Sequence, residues 1–242
     1  MAHAPVVLIT GGSGGLGLAV ARRFQAAGHR VALLDHHDQA PVAPGLAAHH
    51  VRADVTDRKA VERAVAEVGE RLGAPGVLVN GAGIAESGPL LPPDDAMLAR
   101  ALSVNVTGAW IASTAVLPAM LAAGRGAIVN VASTAALRAY KYVAAYVASK
   151  HALLGLTRAL AEDVRGKGVT VNAVCPGFMD TPMTERTVQN IVRATGRDAA
   201  EARGTVAAMN ASGRLVRPEE VADAIVALAL DPRRHGEHVV LE

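Results

Sequence analysis

A short apolar run, Val6-Val7-Leu8-Ile9, passes directly into Thr10-Gly11-Gly12-Ser13-Gly14-Gly15-Leu16-Gly17, and then into an apolar, helix-like stretch from Leu18 to Ala27 that Gly28 closes. The pattern reads as a buried strand, a glycine turn and a helix with a glycine stop. A strand that turns at once into a helix opens a βαβ unit and so commits the chain to a parallel sheet covered by helices. Glycines at the junction allow a tight turn and let a ligand approach where a Cβ would collide. The helix start then offers free N–H groups and the positive end of its dipole to a phosphate, such as a dinucleotide pyrophosphate. No Lys-Ser/Thr pair follows the glycines, so a nucleoside-triphosphate loop fits poorly.

A second apolar strand, Arg30 to Leu34, ends in Asp35, 24 residues beyond Gly11. A carboxylate at that strand tip can accept hydrogen bonds from both hydroxyls of an adenosine ribose and would repel a 2′-phosphate. No Arg or Lys stands at 36, 37 or in the glycine turn, so the sequence favours NAD over NADP. The rest of the composition agrees with helices packed closely on a sheet: 51% hydrophobic, 2% aromatic, with 24 glycines in 242 residues, enough for one large domain. A net charge of +2 with interspersed signs shows no basic stripe for nucleic acid and no attraction to an anionic membrane. One cysteine rules out an intrachain disulfide framework and suits a reducing cytoplasm. No membrane span and no signal peptide is expected. The histidines, including His36-His37 and His49-His50, show no motif that ties them to a metal, and none is expected.

Further along, a Pro/Ala/Gly-rich loop spans 39–45, and a short strand ends at Asp54. A helix capped by Thr56 or Asp57 should run to about Leu72. Asp54 could reach an adenine edge with Val55 flanking the ring, or could simply cap the helix. A fourth strand, 76–79, leads to Asn80-Gly81-Ala82-Gly83, again small residues at the strand end where an open α/β sheet forms its crevice. A loop at 89–95 enters a long helix in which Pro118 should bend or end the run. Asn105 in that helix is either a tolerated polar residue or a functional kink. A fifth strand, 126–132, has Ser133-Thr134 at its tip, and a long helix from Ala144 to Arg165 carries Tyr146 and Lys150. A sixth strand, 169–174, breaks at Cys175-Pro176-Gly177. Two helices, to about Ala194 and from Asp198 to about Met209, form a candidate lid at about 180–212. A helix from Pro218 and a short strand at 238–241 complete a doubly wound α/β domain, a Rossmann fold of about seven parallel strands.

Tyr146 and Lys150 lie four residues apart on one helix face, where a nearby ammonium would favour phenolate and make the tyrosine a usable acid or base. Ser133 can donate to the oxygen that gains or loses that proton. These groups suit hydride transfer between a nicotinamide and a carbonyl. Thr10 to Gly17, Asn80-Gly81-Ala82-Gly83 and Tyr146-Val147-Ala148-Ser149-Lys150 together resemble the short-chain dehydrogenase/reductase family, over residues 6 to about 240. Ser133, 13 residues before Tyr146, and Asn105, 41 before it, fall where the other two catalytic residues of that family would. The resemblance implies Tyr146 as acid/base, Ser133 as the group that polarises the substrate oxygen, Lys150 as ribose ligand and depressor of the tyrosine pKa, and Asn105 as anchor of a relay water. It implies a cofactor bed of Gly11, Ser13, Gly14, Gly15, Leu16, Gly17, Asp35, Asp54, Val55, Asn80, Ala82, Gly83 and Val104. Pro176, Gly177, Met179, Thr181 and Met183 would complete that bed on the nicotinamide side. Position 81 is glycine where a second asparagine is common, and many relatives continue beyond Val239 to Glu242 through Asp-Gly-Gly.

For substrate, the small and apolar set around Ser133, with Ala135, Tyr140, Tyr146 and Phe178, suggests an unhindered carbonyl compound. Arg138, Lys141, Arg186, Arg193 and Arg197 could engage a carboxylate or the phosphates of a thioester carrier. The lid segment is similar to relatives acting on 3-hydroxyacyl thioesters, so the expectation is an NAD-dependent 3-hydroxyacyl-CoA or 3-hydroxy acid dehydrogenase. The alternative is a small secondary-alcohol or polyol dehydrogenase, and a catalytically silent NAD-binding regulator is a more distant one. The resemblance also implies a homotetramer.

Overall fold

The computed structural model describes residues 5–37, 45–88, 91–92 and 94–242, so most of the loops expected at 39–45 and 89–95 lies outside the described residues. The elements run β1 (Val6–Thr10), α1 (Gly15–Ala26), β2 (Val31–Asp35), β3 (Ala48–Arg52), α2 (Arg58–Leu72), β4 (Pro75–Asn80) and α3 (Asp95–Leu102). A π-helical turn (Ser103–Thr107) then joins α4 (Gly108–Ala123), followed by β5 (Gly126–Val131), a 3₁₀ turn (Thr134–Ala136) and α5 (Ala144–Asp163). β6 (Val169–Pro176), α6 (Pro182–Thr195), α7 (Ala199–Ala207), α8 (Pro218–Leu230) and β7 (His238–Leu241) complete the chain.

The seven strands form one sheet in the order β3-β2-β1-β4-β5-β6-β7, every pair parallel. Strand alternation sorts the core into two layers. Val7, Ile9, Val31, Leu33 and Val129 face α1 and α8 through Val20, Phe24, Val221 and Ile225. Val6, Leu8, Leu34, Leu78 and Ile128 face α2, α4 and α5 through Val61, Val116, Met120 and Leu160. Phe24 is fully buried, and truncating such a ring to alanine costs roughly 3–5 kcal/mol. All strands point the same way, so their C-terminal tips share one edge, and the order reverses between β1 and β4, where the crevice opens.

Local chemistry explains most element ends. Asp57 caps α2 by accepting from the Ala60 N–H, and Asp198 caps α7 by accepting from Ala200 and Glu201. Pro182 and Pro218 start α6 and α8, where a missing N–H costs nothing. Three expectations change. β6 runs on through Cys175 and Pro176, whose partners in β7 are Val240 and Leu241. α4 continues through Pro118 to Ala123. The continuous helical run Asp95–Ala123 is long and apolar enough for a membrane span by length and composition, contrary to the expectation that no segment is. Here one face of it covers the sheet through Ile111, Ala112, Val116 and Met120, while Leu98, Trp110 and Leu121 remain exposed.

Candidate active site

At the tip of β1 the glycine turn is a close fit. Gly11 sits at φ +65°, and a Cβ on it would lie 2.8 Å from the Ala82 backbone; one on Gly17 would lie 2.5 Å from the Gly11 carbonyl. Gly15 is different: a Cβ there would meet Pro182 and Thr181 only at 3.6 and 3.7 Å, so the protein itself leaves it room. α1 begins at Gly15 with no side-chain cap and no acidic residue in its first turn. Its first N–H groups therefore have no side-chain partner and suit an anion, whereas the Ser13 N–H and hydroxyl go to Asp35 and the Gly14 N–H to the Gly11 carbonyl. Thr10, not singled out in the sequence, ties this turn to its neighbour by accepting from the Gly81 and Ala82 N–H groups at 3.2 Å.

Asp35 closes β2. Burial alone would raise its pKa, but hydrogen bonds from the Ser13 hydroxyl and N–H and from the His37 N–H outweigh it and hold the carboxyl below its usual value. The His36 ring lies 3.3 Å away, and its ring centroid is 3.9 Å from that of His37. Asp54 is exposed and gives one carboxylate oxygen to the Thr56 N–H and hydroxyl at 2.8 and 2.7 Å. Val55 is buried against Gly108, and Val104 is half-buried. Asn80 is a correction. Its amide points into the protein, donating to Asn130 at 2.8 Å and Ser113 at 3.0 Å, and Asn130 continues to Thr157. It braces β4, β5, α4 and α5 from within and does not face the crevice.

Ser133 leaves β5 in extended conformation, accepts the Ala135 N–H at 3.1 Å, and so opens the 3₁₀ turn. The Tyr146 phenol, which α5 delivers one turn before Lys150, lies near enough to the Ser133 hydroxyl for that hydroxyl to lower its pKa. Lys150 is buried, donates to the Val131 carbonyl at 2.8 Å, and stands 5.6 Å from the centre of the Tyr146 ring. Burial pushes its pKa down to about 8. The expected depression of Tyr146 by Lys150 is not what this arrangement produces. Tyr146 is half-buried as a residue, but its oxygen is enclosed, and burial raises its pKa against the lowering effect of Ser133. Asn105 lies at the middle of the π turn, a form that often marks functional positions in helices. Its amide clasps Ile84 from both sides (N–H to Oδ1 at 2.8 Å, Nδ2 to carbonyl at 3.0 Å) and donates to Ser149 at 2.9 Å. Both amide hydrogens are thus used within the protein, and the side chain braces the Ile84 backbone and Ser149. A Cβ on Gly83 would come within 3.1 Å of Asn105 Oδ1 and 3.6 Å of Lys150 Nζ, so this glycine keeps the floor of the site open.

The second side of the crevice is formed by the 3₁₀ turn, the loop to α5 and the lid. Ala135 is fully buried, and Tyr140 packs edge-on against Phe178, with centroids 5.9 Å apart. Pro176 is buried, Gly177 donates to the Leu241 carbonyl at 2.7 Å, and Met179 pairs with Val216. Asn210, missed in the sequence, grips the Phe178 backbone through both its N–H and carbonyl groups. The lid pair α6 and α7 is joined by Arg203, which binds Asp180 at 2.6 Å and Glu185 at 3.1 Å. Asn190 on α6 reaches Ser87 across the crevice at 3.3 Å. Met183 is exposed, and beside it Asp180, Thr181, Pro182, Glu185, Arg186 and Gln189 line a cavity of about 550 Å³ that none of Ser133, Tyr146 or Lys150 touches.

A dinucleotide fits these residues on two observations. The helix N-terminus beside Gly15 is uncapped, and the buried Lys150 ammonium has one protein acceptor for its three donors. A glycine-turn Rossmann sheet with a serine, tyrosine and lysine gathered at its strand tips defines a nicotinamide-dependent oxidoreductase of alcohols and ketones. Residues 5–191 match the short chain dehydrogenase family, and the chain belongs to it. It is 40% identical over 235 residues to 2-(R)-hydroxypropyl-CoM dehydrogenase of Xanthobacter autotrophicus, covering 93% of this chain and 90% of that one. It is also 40% identical over 231 residues to meso-2,3-butanediol dehydrogenase of Serratia marcescens, covering 93% and 87%. A variant of actinorhodin polyketide ketoreductase, solved with NADPH, superposes with a TM-score of 0.92 at 33% identity, covering 98% of this chain and 95% of that one.

Proposed function

We propose that this chain is an NAD-dependent dehydrogenase of small secondary alcohols and their ketones. The observation that carries this reading is the meeting of the Ser133 hydroxyl, the Tyr146 phenol and the buried Lys150 ammonium at one end of the sheet. When bound, the nicotinamide supplies the hydride acceptor or donor. Tyr146 takes the proton from the alcohol oxygen during oxidation and returns it during reduction. Ser133 already accepts from Ala135, and its own proton, which otherwise favours the Tyr146 phenolate, turns to the substrate oxygen. Lys150 spends one N–H on Val131 and has two left for the ribose hydroxyls, and its positive charge favours the phenolate form when the site is engaged. Asn105 positions Ser149 and Ile84 around these groups. Asp35, held ionised by Ser13, accepts from an adenosine ribose and disfavours a 2′-phosphate. The actinorhodin ketoreductase relative is described with NADPH, which makes cofactor choice the point to test first.

A 3-hydroxyacyl thioester substrate is the second reading, and one observation favours it. Among the lid arginines, Arg193 bonds Asn190 and Arg197 pairs with Glu201, whereas Arg186 makes no hydrogen bond or ion pair among the described residues and lines the lid cavity. The neutral surroundings of Ser133 favour the small alcohol, in keeping with the butanediol relative. The exposed apolar face around Trp110 supports assembly as a homotetramer, to be read as a light-scattering mass of four 24.8 kDa chains.

Initial rates with NAD and NADP over short secondary alcohols, polyols, 3-hydroxy acids and 3-hydroxyacyl-CoA esters test the reading. NAD should win with a simple alcohol or polyol, and Asp35→Arg should invert the cofactor preference. Tyr146→Phe should lose at least ~100-fold in kcat with cofactor affinity retained. Near-wild-type turnover in Tyr146→Phe, or unchanged cofactor preference in Asp35→Arg, removes the corresponding role.

A further inference from the structure

Beside Ser133 a chain of side chains runs outward that the reaction as described does not use. Arg138 Nε donates to the Tyr140 hydroxyl at 2.7 Å, and the Tyr140 and Thr134 hydroxyls are 2.8 Å apart. One terminal nitrogen of Arg138 also donates to the Met209 carbonyl at 3.1 Å and to the Glu242 carboxylate at 2.5 Å. The guanidinium carbon stands 5.3 Å from the Tyr140 ring centre. Arg138 thereby joins the 3₁₀ turn, the base of the lid and the end of β7.

Two consequences follow from the direction of these bonds. A guanidinium can only donate, so the Tyr140 oxygen must accept from it. Either hydroxyl can be the donor between Tyr140 and Thr134, and whichever donates, one hydroxyl hydrogen of the pair has no acceptor among the described residues. Thr134 is 4% exposed and Tyr140 half-buried, so a group that binds here is favoured if it brings an acceptor for that hydrogen. The charge of Arg138 is meanwhile met by Glu242, which leaves this wall neutral overall and a poor receptor for a carboxylate. Thr134 follows Ser133 directly in the turn at the end of β5, and the Tyr140 ring packs edge-on against Phe178, which places the hydroxyl pair beside the reacting group.

We propose that Arg138, held by Glu242, is a positioning residue that sets substrate choice through Tyr140, orienting the Tyr140–Thr134 hydroxyl pair as a second, neutral hydrogen-bonding point for a substrate with another hydroxyl or carbonyl oxygen one or two carbons from the reacting one. This rests on the secondary-alcohol reading above and narrows it to diols, polyols and hydroxyketones.

The test compares butane-2,3-diol and butane-1,3-diol with butan-2-ol, using NAD and NADP, in the wild-type enzyme and in Arg138→Lys, Arg138→Met and Tyr140→Phe. At least one diol should exceed butan-2-ol by ten-fold or more in kcat/KM, with the advantage carried mainly by KM. Each variant should reduce that ratio to below about three-fold. Arg138→Lys keeps the charge opposite Glu242 but cannot serve Tyr140, Met209 and Glu242 together, and Tyr140→Phe removes one oxygen from an otherwise intact side chain. The ratio is the readout because a general loss of activity leaves it unmoved. Diols no better than butan-2-ol, or a preference that survives Arg138→Lys and Tyr140→Phe, would overturn the role of Arg138 while leaving the alcohol dehydrogenase reading in place. No turnover of any of the three, while a 3-hydroxyacyl-CoA ester is oxidised, would overturn both.

Discussion

Lys150 is expensive to keep where it is. A buried ammonium with one hydrogen bond and a pKa moved from 10.5 to about 8 is destabilised by about 3 kcal/mol relative to the unfolded chain. The sign follows from the depressed pKa of a cation. Below pH 8 the folded protein carries the full penalty, and between about 8 and 10.5 the unfolded chain binds more protons, so folded stability recovers. Lys150→Met should therefore abolish activity yet raise the Tm at pH 7, with the gap to wild type closing as pH approaches 10.5. A variant no more stable than wild type at pH 7 would show that Lys150 is at ease in its site. The spacing of Tyr146 and Lys150, the glycine turn and Asp35 were all legible in the sequence because each is a local pattern. The sign of the Tyr146 shift was not, because helix spacing reports that an ammonium is near and says nothing of how enclosed the phenol is. Arg138 with Glu242, 104 residues apart, and Asn210 with Phe178, 32 apart, were likewise invisible, since only the tertiary fold makes them neighbours.

The π turn at Ser103–Thr107 shows how an element carries a residue to its work. Asn105 was conspicuous in the sequence as an amide in an apolar helix, and the kink resolves it: the widened turn presents its side chain to Ile84 and Ser149. Asn105→Ala would strand the half-buried N–H and carbonyl of Ile84 and take one donor from the Ser149 hydroxyl, which keeps its bond to the Tyr146 carbonyl. It should cost about 3 kcal/mol, read in urea melts as a lower midpoint at unchanged slope. It should also reduce kcat, because Ile84 follows the floor glycine and Ser149 precedes Lys150. A stability change within 0.5 kcal/mol, on the order expected for a surface site, would mean that the clasp is not formed in solution. Asn80 teaches the converse. Its place in a strand-tip motif suggests the crevice, but in a parallel sheet alternate side chains turn inward, and register sent this one to Asn130 and Ser113.

Across the whole molecule the labour is divided by the sheet. Tips of β1, β2 and β4 supply the glycine turn, Asp35 and the open floor, while β5, β6 and the lid supply Ser133, the hydroxyl wall and Phe178. Fold class and an approximate strand count were readable because most strands are apolar runs alternating with helices, which admit few arrangements. What joins the halves was not. The first residues of the lid, Thr181 and Pro182, lie against the glycine turn at Gly15, and the same helix reaches Ser87 on the far bank. A roof rooted beside the glycine turn and tied to the far bank predicts an order in time, with the dinucleotide first in and last out. Catalysis should then be compulsory-ordered, with the reduced cofactor competitive against the oxidised one and the ketone product noncompetitive against it. A random pattern of product inhibition would mean that the roof opens over the two guests independently.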